Sequence, residues 1–305
     1  MRNLQTCGGP AVTNARAESG ACGEPVLHQP KSRRTAGRKL TLGLFIFAAV
    51  ALVVIVVCGL NVAPKATVAD FTAKNIAPCW EHLFGTDRMG RDMLTRTLAG
   101  LSTSVLVGLL AASVSSLIAL ALGTFAALGG KRADAVVTWL IDLMMGIPHI
   151  VLLILISYAL GRGFWGVTIG VAVTHWPSLT RVVRAEVLQC RESGFVAAAG
   201  KLGVNRLAIA VRHMLPFVLP QFLVGLILLF PHAILHEAAV TFLGFGLSPE
   251  QAAIGNILSE SMSYLTAGMW WLAVFPGLAL IGTVALFDVA GSNLRKLLDP
   301  HSAQE

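Results

Sequence analysis

The sequence contains few charged residues for its length, and this scarcity excludes an ordinary water-soluble enzyme. Only 13% of the 305 residues are Asp, Glu, Lys or Arg, whereas a typical soluble domain has roughly 25%. Hydrophobic residues make up 55% of the chain, and its mean hydropathy is +0.72. This composition indicates a helical protein that crosses a membrane several times.

Two further absences exclude particular chemistries. The five cysteines form no CxxC pair and no Cys/His grouping, so neither a disulfide scaffold nor a zinc site of the usual spacing is indicated. The phosphate-binding pattern GxxxxGK[ST] is also absent from the sequence. ATP hydrolysis would therefore have to come from another chain.

Six apolar runs approach the roughly 20 residues that a helix needs to cross a bilayer. They are residues 40–62, 101–128, 135–160, 164–179, 217–236 and 269–290. Residues 1–39 are rich in Gly, Pro, Ser and Arg and are predicted to form a disordered basic tail. The first run exceeds the roughly 7–15 apolar residues of a signal peptide, so we interpret it as an uncleaved span, with a cleaved signal as the alternative.

The distribution of basic residues orients these six predicted spans. If both termini lie in the cytoplasm, 17 of the 23 Lys and Arg residues fall inside and six fall outside. Cytoplasmic loops carry the excess of Lys and Arg in membrane proteins. The sequence therefore predicts cytoplasmic termini, an external loop within the segment 63–100, and a five-helix core over 101–300.

The predicted cytoplasmic segment 181–214, which we call the coupling loop, favours two short helices joined by a turn. Its candidate coupling residues, together with the proline that follows it, are Ala197, Ala198, Ala199, Gly203 and Pro216. The alanines favour a helix whose small side chains can lie deep in a partner's groove, and Gly203 permits a turn with positive φ. Partner docking is the prediction, and a plain basic loop that fixes topology is the alternative.

Within the coupling loop, the residues AAAGKLG, followed after nine residues by HMLP, resemble the EAA loop of ABC importer permeases. The resemblance implies contact with an ATPase subunit. Ala197 stands where the family pattern has Glu, and His213 stands where it usually has Ile. The implied role therefore depends on Ala198, Ala199 and Gly203.

A second resemblance lies before the second predicted span, in the sequence HLFGTDRMGRDMLTR. It is similar to the HxxGTDxxGRDxxSR segment of the C-type permeases that import dipeptides, oligopeptides and nickel. The motif residues are Gly85, Thr86, Asp87, Gly90, Arg91 and Asp92. Further matches begin at Thr174, Glu237 and Trp270 and extend to Pro300 in the order of the family.

These resemblances imply an all-α integral membrane protein with six spans and the type I (MetI-like) permease fold, in the bacterial inner membrane. They also imply a homologous second permease subunit, two cytoplasmic ATPases and an extracytoplasmic binding protein. ATP and Mg²⁺ would bind to the ATPases, and this chain would hold no cofactor. We expect membrane lipid, and no nucleic acid, as a further partner.

The charged residues of the external motif predict a local structure of their own. Asp87 can cap a helix that begins at Arg88, and the pairs Arg88–Asp92 and Asp92–Arg96 have i,i+4 spacing. An amphipathic helix on the outer membrane surface follows from this pattern. The alternative is a solvated charged face that only anchors the chain.

Ionisable residues inside spans are costly and usually face a protein interior or a water-filled path. The candidates are Asp142, His149, His175, His232, His236 and Asp288, and Glu237 follows the last histidine. His232 and His236 have i,i+4 spacing, so both imidazoles can contact one divalent cation transiently. With Glu237, they are the predicted path residues. Histidines that hydrogen-bond between helices are the alternative.

The surroundings of these histidines resemble the nickel branch of the family, so nickel or a nickel chelate is the predicted substrate and peptides are the alternative. A membrane metalloenzyme is a remote alternative, because HExxH order is absent. A secondary transporter, which needs no ATPase, is a second remote alternative. Pro148 and Pro231 predict interruptions of the third and fifth spans, and Gly244, Gly246 and Pro249 predict a turn after the fifth.

Overall fold

The chain folds into helices joined by turns and by a longer loop over residues 67–92. The computed structural model describes residues 32–298, so tail residues 1–31 and the last matched residues, 299–300, lie outside the described part. The helices are α1 (Ser32–Ala66), α2 (Met93–Leu128), α3 (Gly130–Gly146), α4 (His149–Ala159), α5 (Gly163–Arg191), α6 (Gly194–Lys201), α7 (Arg206–Ile209), α8 (Leu215–Phe242), α9 (Ile254–Met262) and α10 (Trp271–Leu298), with a π-helical segment, Ala210–Met214, before α8. The predicted all-α class is confirmed for this part of the chain.

Four of these helices are long and apolar enough to cross a membrane, namely α1, α2, α8 and α10. The pair α3 and α4, bent by 92°, is a fifth candidate if it counts as one span. The fourth predicted span, 164–179, lies within α5, whose apolar run is shorter than roughly 20 residues and is followed by Arg181 and Arg184 in the same helix. The structure therefore supports four or five apolar spans, and the predicted count of six is not confirmed.

The break between α3 and α4 lies at Ile147 and Pro148. Ile147 has an extended backbone, with φ −94° and ψ 135°, because a residue before proline avoids the helical conformation. The predicted interruption of the third span is therefore confirmed. By contrast, α8 continues from Leu215 to Phe242 although Pro220 and Pro231 lie inside it, so proline does not end the helix there.

Two helix boundaries differ from the predicted ones. α1 begins at Ser32 and not at residue 40, because the Arg and Lys residues before the apolar run are themselves good helix formers. α2 begins at Met93, inside the predicted external segment. Between α1 and α2 the chain forms a loop, so the predicted helix beginning at Arg88 is not found.

α2 and α5 pack against each other more extensively than any other pair of helices, and both also contact α8. Small residues bring the backbones close. A Cβ atom added at Gly123 of α2 would lie 2.8 Å from Val183 Cγ1 of α5, and one at Gly108 would lie 2.5 Å from Ile234 Cγ1 of α8. Such contacts are typical of helices that associate within membranes. α1 lies beside α2 and α10 and exposes large apolar side chains such as Phe47 and Val53.

Candidate functional site

The coupling loop contains the two short helices that the sequence predicts. Gly203, between α6 and α7, has φ +80°, and the backbone N–H of Val204 donates to the carbonyl oxygen of Ala199 (3.2 Å). This bond pattern ends a helix in the Schellman manner, with glycine in the left-handed conformation. The predicted turn at Gly203 is confirmed, while its role in docking stays a prediction.

One side of the coupling loop contacts the helical core. Ile209 and Met214 are buried in a cluster with Cys190 of α5, and Ala199 packs against the same cluster. Arg191 Nη1 donates to the carbonyl oxygen of Ala127, at the end of α2 (2.8 Å). These contacts join α6 and the π-helical segment to α5. The side chain of Ala197 lies outside the described part of the structure.

Three large apolar side chains of the coupling loop are exposed. Leu202, next to the turn, is 83% exposed, and Phe195 and Val204 are also exposed. Exposure of large apolar side chains to water is unfavourable, so these residues indicate a contact with another protein or with the membrane. Sequence reasoning had identified the alanine run but had missed these three larger side chains.

The external motif forms a compact ion-pair network that we call the Asp87 cluster: Asp87, Arg91, Arg96 and Glu260. Asp87 Oδ2 accepts from Arg91 Nε (2.7 Å) and from Arg96 Nη1 (2.6 Å). Glu260, on α9, accepts from Arg96 Nη2 (2.9 Å) and from Arg91 Nη2 (3.2 Å). Two carboxylates and two guanidinium groups thus satisfy one another, and they join the external loop, α2 and α9.

The predicted local pairing of this motif is wrong. Asp92, and not Asp87, is the N-cap of the helix, because its side chain accepts from the N–H of Thr95 (2.9 Å). Its other carboxylate oxygen lies 3.1 Å from His82 Nδ1, so the predicted pairs with Arg88 and Arg96 do not form. Asp87 instead accepts from the backbone N–H groups of Met89 and Arg91 and closes a turn.

Glycine allows the external loop to fold back on itself. Gly90 has φ +73°, and a Cβ atom there would lie 1.6 Å from the carbonyl oxygen of Asp70. Asp70 itself accepts from the hydroxyl of Thr72 (2.6 Å) and from its N–H (3.0 Å). These donors hold the pKa of the Asp70 carboxyl below its usual range.

The remaining motif residues, Gly85 and Thr86, lie in the same external loop. The Thr86 hydroxyl donates to the carbonyl oxygen of Ala73 (2.5 Å).

The site predicted for His232 and His236 stays a prediction, and the structure gives His236 neighbours on other helices. His232 is exposed, and its backbone carbonyl oxygen accepts from His236 Nδ1 (2.7 Å). His236 instead meets His149 of α4 and His175 of α5, and one ligand atom from each of the three residues lies within 4.8 Å of the others. We call His149, His175 and His236 the histidine cluster. Sequence spacing cannot identify it, because its members come from three different helices.

Glu237, the third predicted path residue, is fully buried on α8. Its Oε1 accepts from the hydroxyl of Thr241 (2.8 Å), and that hydroxyl also accepts from the N–H of Leu247 (3.2 Å). Oε2 has no partner with hydrogen-bond geometry, and the Ser104 hydroxyl is its polar neighbour. Glu237 therefore connects α8 to the turn that follows it and lines no open path in this conformation.

A cavity of about 530 Å³ lies beside the first turns of α8. Its lining includes Pro216 and Pro220 of α8, Glu186 of α5 and Arg295 of α10. Small-molecule pockets in proteins usually measure roughly 300–1,000 Å³. This cavity is therefore large enough for a small solute, and it carries one acidic and one basic side chain.

Comparison with known proteins identifies the family. Residues 119–304 match the family described as "Binding-protein-dependent transport system inner membrane component", and this match covers more than half of the chain. The chain belongs to this family of ABC importer permeases, which are multi-pass proteins of the inner membrane. ATP hydrolysis in such transporters takes place in separate subunits.

Individual relatives extend over most of the chain. A protein of Brucella suis biovar 1 (strain 1330), provisionally named as a peptide permease, is 36% identical over 76% of this chain and 78% of its own length. The dipeptide transport system permease protein DppC of Bacillus subtilis (strain 168) is 33% identical over 88% of this chain and 84% of its own length.

A solved structure shows the same fold. The chain matches the structure described as inward facing conformations of the MetNI methionine ABC transporter, with a TM-score of 0.57 and 18% identity, over 68% of this chain and 98% of the other. The MetI-like permease fold that the sequence resemblance implied is therefore confirmed. The relatives named above are peptide and dipeptide permeases, so the nickel-like branch is not confirmed.

Proposed function

We propose that this chain is the permease subunit of an ATP-driven importer of dipeptides or oligopeptides and forms half of the translocation path. The observation that carries the proposal is its similarity to peptide and dipeptide permeases over 76% and 88% of the chain. Peptide import was the alternative in the sequence analysis, and it now replaces nickel import as the main interpretation.

The coupling loop is the proposed contact with an ATPase. Its side chains Phe195, Leu202 and Val204 are apolar and exposed, while Ala199, Ile209 and Met214 of the same loop pack on α5. When ATP closes the two ATPases, pressure on α6 would pass through these packed contacts to α5 and α8. Such a rigid-body movement exchanges an outward-facing path for an inward-facing one.

The proposed complex contains a homologous second permease, two ATPases that bind ATP and Mg²⁺, and an external binding protein. No cofactor is assigned to this chain. We place both termini and the coupling loop in the cytoplasm, because this orientation, with α5 counted as a sixth span, puts 17 of the 23 basic residues inside. The Asp87 cluster then lies outside, where it fixes the external loop against α2 and α9.

The cavity beside α8 is the proposed cytoplasmic part of the path. Glu186 and Arg295 line it together with apolar side chains. A zwitterionic peptide presents an ammonium group and a carboxylate, which these two side chains can bind weakly. Weak binding suits a transport path, because the substrate has to leave as readily as it enters.

Uptake by the reconstituted complex tests the proposal. The permease pair, ATPases and binding protein are placed in liposomes with internal ATP, and radiolabelled dipeptides, tripeptides and ⁶³Ni²⁺ are supplied outside. We expect peptides to stimulate ATP hydrolysis and to accumulate, and Ni²⁺ to do neither. Accumulation of Ni²⁺ without peptide uptake would overturn the proposal. Uptake driven by a proton gradient without ATP would instead support a secondary transporter.

Nickel or a nickel chelate remains the second candidate substrate for this assay. One observation favours it, namely the presence of three imidazoles within the helical core, since imidazole suits nickel. The predicted pair of His232 and His236 supports it less directly, because His232 is exposed and its hydrogen bond to His236 is through the backbone carbonyl.

A further inference from the structure

The histidine cluster joins three helices at one point. His149 is the first residue of α4, His175 lies within α5, and His236 lies near the end of α8. The ring centroids are 4.6 Å apart for His149–His175 and for His149–His236, and 4.9 Å apart for His175–His236. His175 is buried and the other two are partly buried. The cluster is therefore buried on the side of α5 and partly exposed on the side of α4 and α8.

Hydrogen bonds to backbone carbonyl groups fix the tautomers of two of these rings. His175 Nδ1 lies 2.9 Å from the carbonyl oxygen of Val171, and His236 Nδ1 lies 2.7 Å from that of His232. A carbonyl oxygen can only accept, so each Nδ1 carries the proton of a neutral ring. Nε2 of both rings then keeps its lone pair, and His175 Nε2 lies 3.3 Å from His236 Nδ1, the contact by which these two rings meet.

The third ring supplies a further nitrogen without a partner. His149 Nε2 is buried and makes no hydrogen bond. A buried polar atom without a partner is unfavourable, so packing alone does not explain why histidine is present here. The edge-to-face arrangement of the three rings accounts for their contact but not for this nitrogen.

These features match the requirements of a metal site. A histidine that binds a metal almost always donates its other ring N–H to a carbonyl or carboxylate oxygen, which fixes the tautomer and the ring orientation. His175 and His236 already do so. Three histidines with a fourth position for water form a known arrangement for Zn²⁺, and imidazole also suits Ni²⁺ and Cu²⁺.

We propose that the histidine cluster binds one divalent transition-metal ion, of the class of Zn²⁺ or Ni²⁺, as a resident ion that ties α4 to α5 and α8. The fourth coordination position would hold water. Glu237, although adjacent in sequence, is not assigned as a ligand, because its carboxylate is not among the groups whose ligand atoms meet at the cluster. This proposal depends on the geometry of three helices and not on the identity of the transported solute.

A resident ion at this point has a mechanical consequence. His149 follows directly after the break at Pro148, so the ion would hold the bent part of the α3–α4 pair against α5 and α8. Transport that requires these helices to move relative to one another would slow when the ion is bound. Added Zn²⁺ should therefore reduce peptide-stimulated ATP hydrolysis, and a chelator should restore it.

Metal binding by the assembled transporter tests the proposal directly. The complex is stripped with a chelator and dialysed against Zn²⁺, and bound metal is counted by mass spectrometry. His149→Gln, His175→Gln and His236→Gln are compared with His232→Gln, a matched control on the same helix face. We expect the wild type and the control to bind about one ion per permease chain. Each of the three cluster variants should lose at least about tenfold in affinity for Zn²⁺.

A second variant separates loss of a ligand from loss of folding. His149→Cys replaces one zinc ligand by another, so it should bind Zn²⁺ where His149→Gln does not. Substitution of Co²⁺ should give the absorption bands of a tetrahedral site in the wild type and the control. Failure of the wild type to bind Zn²⁺, or an equal loss of binding in His232→Gln, would overturn the proposal.

Radioactive uptake distinguishes a resident ion from a transported one. If ⁶⁵Zn²⁺ bound at the cluster appears inside the liposomes in an ATP-dependent manner, the resident role is wrong and metal import is supported. If the ion stays on the protein while peptides accumulate, both proposals hold. If neither metal nor peptide accumulates but Zn²⁺ still binds, the proposed function fails and the metal site remains.

Discussion

The Asp87 cluster, at the start of α2, and the coupling loop are stabilised in opposite ways. In the Asp87 cluster, every charged side chain has an ion-pair partner, and Asp87 and Arg96 are buried. In the coupling loop, Leu202 and its apolar neighbours are exposed, and backbone geometry at Gly203 sets the turn. The difference indicates that the first region holds the fold together and the second presents a surface.

This comparison predicts different consequences of mutation. Changes in the Asp87 cluster should lower stability and affect transport only through it. Changes in the coupling loop should leave stability nearly unchanged and remove the connection to the ATPase. A residue of the Asp87 cluster that affects only coupling, or a residue of the coupling loop that affects mainly stability, would contradict this comparison.

Arg96→Ala should have the largest effect on stability. It leaves Asp87 buried and Glu260 partly buried with one guanidinium group between them, and breaking a buried ion pair costs about 3–5 kcal/mol. Thermal unfolding of the purified chain in detergent measures the loss. Arg88→Ala is the control, because the Arg88 side chain is 53% exposed and lies 3.7 Å from Glu260. Arg88→Ala should lower the free energy of unfolding by no more than about 1 kcal/mol. Equal losses of stability in the two variants would contradict the structural role of the cluster.

Gly203→Pro should have the largest effect on coupling. Proline fixes φ near −65°, whereas this position requires +80°, so α6 and α7 cannot keep their relative orientation. We expect co-purification of the ATPases to fall at least about tenfold, which corresponds to 1.4 kcal/mol. Peptide uptake should fall with it, while the chain still inserts into the membrane.

Gly194→Ala is the matched control for this experiment. Like Gly203, Gly194 has no atom within 4 Å of an added Cβ, but its φ is not positive. Alanine should therefore leave ATPase binding unchanged. Normal coupling in Gly203→Pro would show that the turn has no role in docking.

Leu202→Glu should have an intermediate effect. The side chain is 83% exposed, so stability should change by less than about 0.5 kcal/mol. If the ATPase covers this side chain, the charge has to be desolvated and the leucine contact is lost, which would weaken binding by about fivefold or more. Titration of purified ATPase against the two variants Leu202→Glu and Leu202→Met measures this. Leu202→Met keeps an apolar contact and should bind normally.

Leu202→Cys should have the smallest effect on activity and reports the orientation of the loop. In a chain whose other cysteines are replaced, a membrane-impermeant maleimide added outside intact spheroplasts should not label it until the membrane is opened. Cys79, which is exposed in the external loop, should be labelled from outside when it is the sole cysteine. Cys190 is unsuitable for this purpose because it is buried. Labelling of Leu202→Cys in intact spheroplasts would invert the proposed topology.

Much of the fold follows from local sequence, because an apolar run of about 20 residues is a local property. The helices α1, α2, α8 and α10 were predicted for this reason. α5 differs because one side of it packs against α2 and α8, and a side that faces protein tolerates His and Arg that a lipid-exposed surface excludes. The break at Pro148 and the turn at Gly203 were also predictable, since proline and glycine restrict or permit backbone angles at their own positions.

The candidate site was less predictable because its contacts are long-range. Glu260 binds Arg96 across 164 residues of sequence, so the local pattern assigned Arg96 to Asp92. Helical spacing identified His236 correctly as facing a neighbour, but it paired the residue with His232 on the same helix. The true neighbours, His149 and His175, lie on other helices. Both were among the ionisable candidates, and only the packing of α4, α5 and α8 brings them together.

The two glycines at the turns differ in how much natural variation they should tolerate. At Gly203 there is free space and the constraint is the backbone angle alone, so Asn or Asp, which also adopt positive φ, are acceptable replacements there. At Gly90 an added Cβ would overlap the carbonyl oxygen of Asp70, so any side chain at all forces the loop apart. A library of random variants selected for transport should consequently contain Asn and Asp at 203 while remaining glycine at 90.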